Sequence, residues 1–136
     1  MHTAAPMHLY DTSRGEVTAF APGETVTMYV CGITPYDATH LGHAATYVTY
    51  DVLQRRLIDR GHRVRYVRNI TDVDDDIIRA ARQRDVHYLD LAFGETVRFD
   101  DDMAALNTLP PWSEPRATGA IGNIRGLIDT LSLIHI

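Results

Sequence analysis

Val26, Met28 and Val30 alternate with Thr25, Thr27 and Tyr29 along the first third of the chain, the period of two that puts one set of side chains on one face of a strand. The spacing predicts a strand over 25–30, ending on the Cys31 thiol. From about Gly42 the period lengthens: Tyr50, Leu53 and Leu57 recur at helical spacing as far as Gly61, a residue type that ends helices by entering the left-handed region. A run rich in Val and Tyr over 62–70 then reads as a second strand. Strand, helix and strand within 24–72 describe a βαβ crossover. Such a unit makes the two strands parallel and right-handed in connection, and puts the ligand crevice at their carboxyl ends. Cys31 and the run Asn69-Ile70-Thr71 fall at those ends.

Around this core, 9–11 and 16–20 read as short strands flanking Ser13-Arg14-Gly15, a hairpin at the edge of the fold, and Ala21-Pro22-Gly23 reads as a turn. Beyond it, three helices are predicted over 74–84, 88–106 and 117–131, with Pro110-Pro111 dividing the last two. These should pack together as a helical layer over 74–131. Ile121, Ile124, Ile128 and Leu131 form one apolar stripe, which the last six residues do not continue. The expectation is one α/β domain, a parallel sheet with flanking helices, from which the chain has been cut short, its last six residues not native to it.

Composition narrows the class. An apolar fraction of 45% with 23% charged residues fits a globular domain, and a net charge of −5 leaves no basic footprint for nucleic acid. All thirteen basic residues are arginine. Nine lie between Arg55 and Arg84, interleaved with aspartates, which reads as a solvated helix face. No signal peptide opens the chain and no segment approaches the roughly 20 apolar residues of a membrane span, so a cytoplasmic protein without a membrane partner is expected. The single cysteine excludes an internal disulfide.

The densest chemistry is the stretch from Cys31 to Tyr47, where a strand passes through a Gly- and Pro-bearing turn into a helix that opens on His40-Leu41-Gly42-His43. A helix N-terminus offers backbone N–H groups and the positive end of its dipole to an anion, and imidazoles three residues apart on one turn share a side. His40 and His43 are therefore candidate donors to a phosphate on which negative charge develops during transfer. Gly42 between them would leave room for a nucleotide ring. The competing reading makes His40 a helix cap and His43 a partly buried core residue. Cys31 is open between a core thiol, a nucleophile and one ligand of a metal completed elsewhere. The run from Asp72 to Asp76 is no calcium loop, because Ile77 and Gln83 stand where a glycine and a carboxylate are needed. It reads as the first turn of the next helix, capped by Thr71 or Asp72. The run Asp100-Asp101-Asp102 reads as a solvated face.

The stretches CGITPYDATHLGHAATY and YVRNITDVDD resemble the N-terminal part of the mycothiol-biosynthesis cysteine ligases, relatives of the cysteinyl-tRNA synthetases, over about 9–131. Ile33, Pro35, Ala38, Thr39, Ala45 and Thr46 side with the ligase branch. The resemblance implies a Rossmann-like class I aminoacyl-tRNA synthetase catalytic fold with the start of a helical insertion. It further implies that ATP activates L-cysteine as cysteinyl adenylate, with release of pyrophosphate, and that the amine of glucosaminyl-inositol then displaces AMP to form an amide. On that footing Cys31 is a zinc ligand, and the zinc selects cysteine by binding its thiolate. Gly32, Ile33 and Thr34 run along the adenylate, Thr46 contacts cysteine or adenylate, and Asn69, Ile70 and Thr71 form a second adenylate-contacting segment. His40 and His43 stabilise the transferring phosphate, with Mg2+ accompanying ATP. The remaining zinc ligands and the Lys-Met-Ser-Lys-Ser loop of such enzymes have no counterpart here, so this chain alone is expected neither to hold zinc tightly nor to form adenylate at a useful rate. A monomer is favoured. Two further readings are a cysteinyl-tRNA synthetase, with tRNA as acceptor, and a nucleotide-binding module without catalysis.

Overall fold

The computed structural model describes residues 6–135. The edge hairpin is present: β1 (Met7–Asp11) pairs antiparallel with β2 (Glu16–Phe20). Its turn is tied by the Asp11 carboxylate, which accepts the Ser13 N–H at 2.9 Å and the Ser13 hydroxyl at 2.7 Å, while Gly15 takes a φ of 70°. That positive φ is the reason a glycine serves there.

The core is the predicted crossover. β3 (Thr25–Ile33) pairs parallel with β4 (Arg63–Ile70), and α1 (Leu41–Asp59) connects them. β3 runs three residues past the predicted end, because the ladder continues through an irregularity between Val30 and Ile33. α1 stops as expected at Gly61, whose φ is 87°. The Gly61 N–H reaches the Ile58 carbonyl at 2.9 Å and the His62 N–H the Leu57 carbonyl at 3.1 Å, which satisfies carbonyls the helix end would orphan.

The buried stripe of α1 differs from the predicted one. Tyr47, Asp51, Gln54 and Leu57 are buried, whereas Tyr50 is exposed. A hydrophobic count misses this face because two of its members are polar. The Asp51 carboxylate accepts the Leu109 N–H at 2.8 Å and the Arg55 Nε–H at 2.7 Å, so burial leaves its oxygens partnered.

After β4 come α2 (Asp75–Gln83), α3 (Tyr88–Ala105) and α4 (Ala117–His135). Phe99 and Met103 of α3 join Tyr47 of α1 and Val30, Ile33, Tyr66 and Ile70 of the sheet in one apolar cluster. α1 and α3 thus cover the same face of the parallel sheet. Ile77 and Ala81 of α2 pack on Leu91 and Ala92 of α3 in a second cluster. α4 departs from the expected layer: Ile121, Ile124, Ile128 and Leu131 are each about half exposed. The helix also continues through 132–135, past the point where the apolar pattern ends.

The segment between α3 and α4, read as a bare separator, extends the sheet instead. Ser113 and Arg116 bridge β4 in parallel opposite Val67 and Ile70, and the Ile70 N–H donates to the Pro115 carbonyl at 2.9 Å. Prolines hide this bridged segment from a pattern search, yet a place at the edge of β4 tolerates them.

Candidate functional site

At the carboxyl end of β3, Gly32, Ile33 and Thr34 line a cavity of about 360 Å3 whose far wall is Tyr36, Asp37, Ala38, His40 and His43. Five of the expected site residues therefore surround one space. Its floor exists because β3 and β4 approach unusually closely at Gly32. A Cβ there would lie 1.4 Å from the Asn69 carbonyl oxygen, a separation no side chain can accept. The Asn69 carboxamide oxygen accepts the Gly32 N–H at 2.8 Å and the Tyr29 hydroxyl at 2.9 Å, and its amide group donates to the Thr71 hydroxyl at 3.1 Å. The Thr71 N–H reaches the Ile33 carbonyl at 2.9 Å. Asn69 and Thr71 thus lock the irregular end of β3, while the Ile70 side chain is fully buried in the core.

The two histidines form the opposite wall. His40 is the N-cap of α1, and its Nδ1 accepts the Gly42 N–H at 3.1 Å. His43 reciprocates, its Nδ1 accepting the His40 N–H at 3.2 Å. The ring centroids stand 4.1 Å apart with a tilt of 32°. This is a capping box built from imidazoles. It unites two readings that the sequence set against each other, since His40 caps the helix and the pair still borders the cavity. A ring nitrogen that accepts a hydrogen bond carries no proton, so in each neutral ring the proton sits on Nε2. Both residues are then fixed as Nε2–H donors. Burial first, and the neighbouring His40 second, lower the pKa of His43 from its ordinary 6.5, which favours that neutral form.

Two sequence expectations change here. The N–H groups of Gly42 and His43 are engaged, by His40 Nδ1 and by the His40 carbonyl at 2.9 Å respectively, so these amides are not the free anion donors expected of a helix start. A Cβ on Gly42 would meet the His40 ring at 2.8 Å; that glycine keeps room for the cap, and the intrusion is on protein rather than on a nucleotide. Thr46 lies one turn further along α1 and donates its hydroxyl to the Gly42 carbonyl at 3.0 Å. It does not border the cavity.

Cys31 is exposed on the sheet face opposite the core, in line with Tyr29 and Thr27. Its carbonyl accepts the Tyr47 hydroxyl at 3.2 Å, and burial raises the Tyr47 pKa to about 12, which keeps that hydroxyl a donor. Among the described residues no three His, Cys, Asp or Glu side chains converge as a metal site. The groups present do not by themselves fit a tetrahedral zinc, which takes three or four protein ligands.

Several residues that organise the site were not recognised from the sequence. The nine central arginines are not one solvated helix face: Arg68 lies on β4 and is 4% exposed. It pairs with Glu114 and, at 2.9 Å, with Asp100, and its guanidinium stands 4.4 Å from the Phe99 ring centre. The Asp100-Asp101-Asp102 run is exposed, as expected, and Asp102 in addition accepts the Thr39 hydroxyl. The cap of α2 is Asp74, which accepts the Asp76 N–H at 2.8 Å, rather than Thr71 or Asp72. Asp72 is buried and accepts from the Thr118 N–H at 2.9 Å and hydroxyl at 2.6 Å, tying down the start of α4. The Asp74 cap is a local contact, whereas the roles of Arg68, Asp72 and Asp102 rest on partners far along the chain.

Among the described residues no helix is long and apolar enough to cross a membrane. Comparison with known proteins gives curated relatives, solved structures of similar fold and one family. The chain is 52% identical over 125 residues to the L-cysteine:1D-myo-inositol 2-amino-2-deoxy-alpha-D-glucopyranoside ligase of Mycobacterium ulcerans (strain Agy99), an alignment covering 92% of this chain and 30% of that protein. It is 49% identical over 126 residues to the ligase of the same name from Corynebacterium kroppenstedtii, covering 93% of this chain and 24% of that one. The chain thus spans less than a third of the length of these curated relatives. Among solved structures, Mycobacterium tuberculosis methionyl-tRNA synthetase in complex with methionyl-adenylate matches with a TM-score of 0.55 at 28% identity, over 60% of this chain and 16% of that one. The agnB2 LeuRS of Agrobacterium radiobacter K84, in its ternary LeuRS–tRNA–LeuAMS complex, matches in fold with a TM-score of 0.66 at 21% identity, over 82% of this chain and 15% of that one. Residues 18–134 match the tRNA synthetases class I (C) catalytic domain, and with the parallel crossover and its helix-start histidines this chain belongs to that family.

Proposed function

We propose that the protein carrying this chain is an ATP-dependent ligase that activates L-cysteine as cysteinyl adenylate and joins it to the amine of glucosaminyl-inositol. The carrying observation is the imidazole pair on the first turn of α1, 4.1 Å apart and facing the cavity over Gly32. Attack of the cysteine carboxylate on the α-phosphorus of ATP builds charge on the phosphate oxygens as pyrophosphate leaves. Two Nε2–H donors set in advance at a helix N-terminus stabilise that charge without reorganising. The Gly32-Ile33-Thr34 backbone lines the floor along which an adenylate would lie, with Asn69, Ile70 and Thr71 holding the strand ends behind it. Thr46 is kept as a substrate contact only if its hydroxyl leaves the Gly42 carbonyl. The name shared by the relatives in Mycobacterium ulcerans and Corynebacterium kroppenstedtii supports the choice of substrates.

Zinc belongs to this reading only if other parts of the protein complete a site around Cys31, and no step above passes through it. Mg2+ would accompany ATP as its ordinary counter-ion. No nucleic acid partner and a monomeric, cytoplasmic protein complete the proposal.

The test is cysteine-dependent exchange of pyrophosphate into ATP by the whole protein, followed by trial of two acceptors. Exchange with transfer to glucosaminyl-inositol is the expected result. Transfer to tRNA instead would make it a cysteinyl-tRNA synthetase, and absence of exchange would leave a nucleotide-binding module.

A further inference from the structure

The imidazole pair is useful only if its direction is held, and the segment that leads into it is exposed at Tyr36, Asp37 and Ala38 after the buried Pro35. Two polar links reach that segment from outside, and both start on α3. In one, the Asp102 carboxylate accepts the hydroxyl of Thr39, the residue immediately before the His40 cap. In the other, Arg84 bridges Asp37 at 3.2 Å and Glu95 at 3.3 Å. Glu95 is 5% exposed; its Oε1 also takes Arg98 at 2.9 Å, and its Oε2 is buried without a hydrogen-bond partner. α3 itself is anchored by Phe99 and Met103, which are buried in the main cluster between the two acidic residues and beside the second. A helix fixed in the core therefore grips both ends of the 37–39 segment.

We propose that α3 is the positioning element of the imidazole pair, with Asp102 acting through Thr39, and Glu95 through Arg84 and Asp37, to set the direction of the two Nε2–H groups. The inference rests on the reading of His40 and His43 as donors to a transferring phosphate. Its physical basis is that displacement of a reacting group by about 1 Å can lower a rate roughly a hundredfold, so contacts that fix the segment leading into the pair bear on its chemistry.

Imidazole 15N signals of the whole protein decide the matter. Thr39→Val and Asp102→Ala should each shift the His40 and His43 signals, and the double variant should shift them no further, because the two residues make one contact. Thr39→Ser, which keeps the hydroxyl, and Asp102→Asn, which keeps an acceptor oxygen and the side-chain shape, should restore the native signals. In pyrophosphate exchange the first two variants should lose about tenfold in kcat with the KM for cysteine within about twofold. Unmoved signals, or additive shifts in the double variant, would overturn the proposal. These signals report the turn whether or not the protein makes an adenylate. Native signals that respond as stated, in a protein without exchange, would uphold the clamp and remove the donor reading instead.

Discussion

Gly42 shows how one missing methyl group can matter to chemistry more than to stability. Replacing it by alanine should raise helix propensity by about 1 kcal/mol but drive a Cβ into the His40 ring at 2.8 Å, loosening a cap worth about 1 kcal/mol. The two effects nearly cancel, so Gly42→Ala is expected to leave the denaturant midpoint almost unchanged while exchange activity falls; equal loss of both would show that the turn is simply unfolded. Gly32 is the opposite case, because the clash at 1.4 Å is with backbone that cannot turn aside. Gly32→Ala should lower unfolding free energy by about 3 kcal/mol, the upper end for overpacking, measurable by urea denaturation. His43 adds a pH dependence. Its folded pKa lies below 6.5, so its stabilising contribution is complete above 6.5. As pH falls below that value the unfolded chain binds the proton first, and the contribution is lost through the lowered folded pKa. Protonated Nδ1 would also cease to accept the His40 N–H, so the turn should loosen over the same window, visible as faster amide exchange at His40 and Gly42.

At the scale of elements, the strands and helices were legible where period and punctuation agreed. Val26, Met28 and Val30 announced β3, and Gly61 ended α1 through its positive φ. The inner face of α1 was misread at Tyr50, because two of its buried members, Asp51 and Gln54, are polar, and Asp51 is held by partners that no periodicity encodes. Arg68 illustrates the same limit: on β4 it stands at an inward position, where a charged side chain reads as a break in the pattern. Its ion pairs with Asp100 and Glu114 join β4, α3 and the edge segment. Breaking a buried pair costs about 3–5 kcal/mol, and Asp100 is half exposed, which favours the lower end. Arg68→Ala should therefore destabilise by about 3 kcal/mol, and Asp100→Ala, which leaves Glu114 in place, by less. Equal losses measured by thermal unfolding would contradict the hub.

For the molecule as a whole, two features stand open to solvent. Cys31 is exposed among Tyr29 and Thr27, and the apolar stripe of α4 is about half exposed. With no three His, Cys, Asp or Glu side chains converging as a metal site among the described residues, zinc titrated into the isolated chain should bind more weakly than micromolar by calorimetry. Submicromolar binding would mean that these residues rearrange into a site of their own.

Sequence alone determined the local features of this protein: the crossover, the hairpin, the glycine stops and the histidines on a helix start. The hairpin, the stops and the helix start depend on neighbours within a few positions, where spacing fixes geometry, and the crossover follows from strand, helix and strand in succession. Tertiary structure decided the rest. It bridged Ser113 and Arg116 to β4, gave the buried Asp72 and the exposed Asp102 their hydrogen-bond donors from distant parts of the chain, and left the α4 stripe uncovered. The physical reason is that a polar side chain's role depends on the partner that satisfies it, and those partners stand up to 63 positions away.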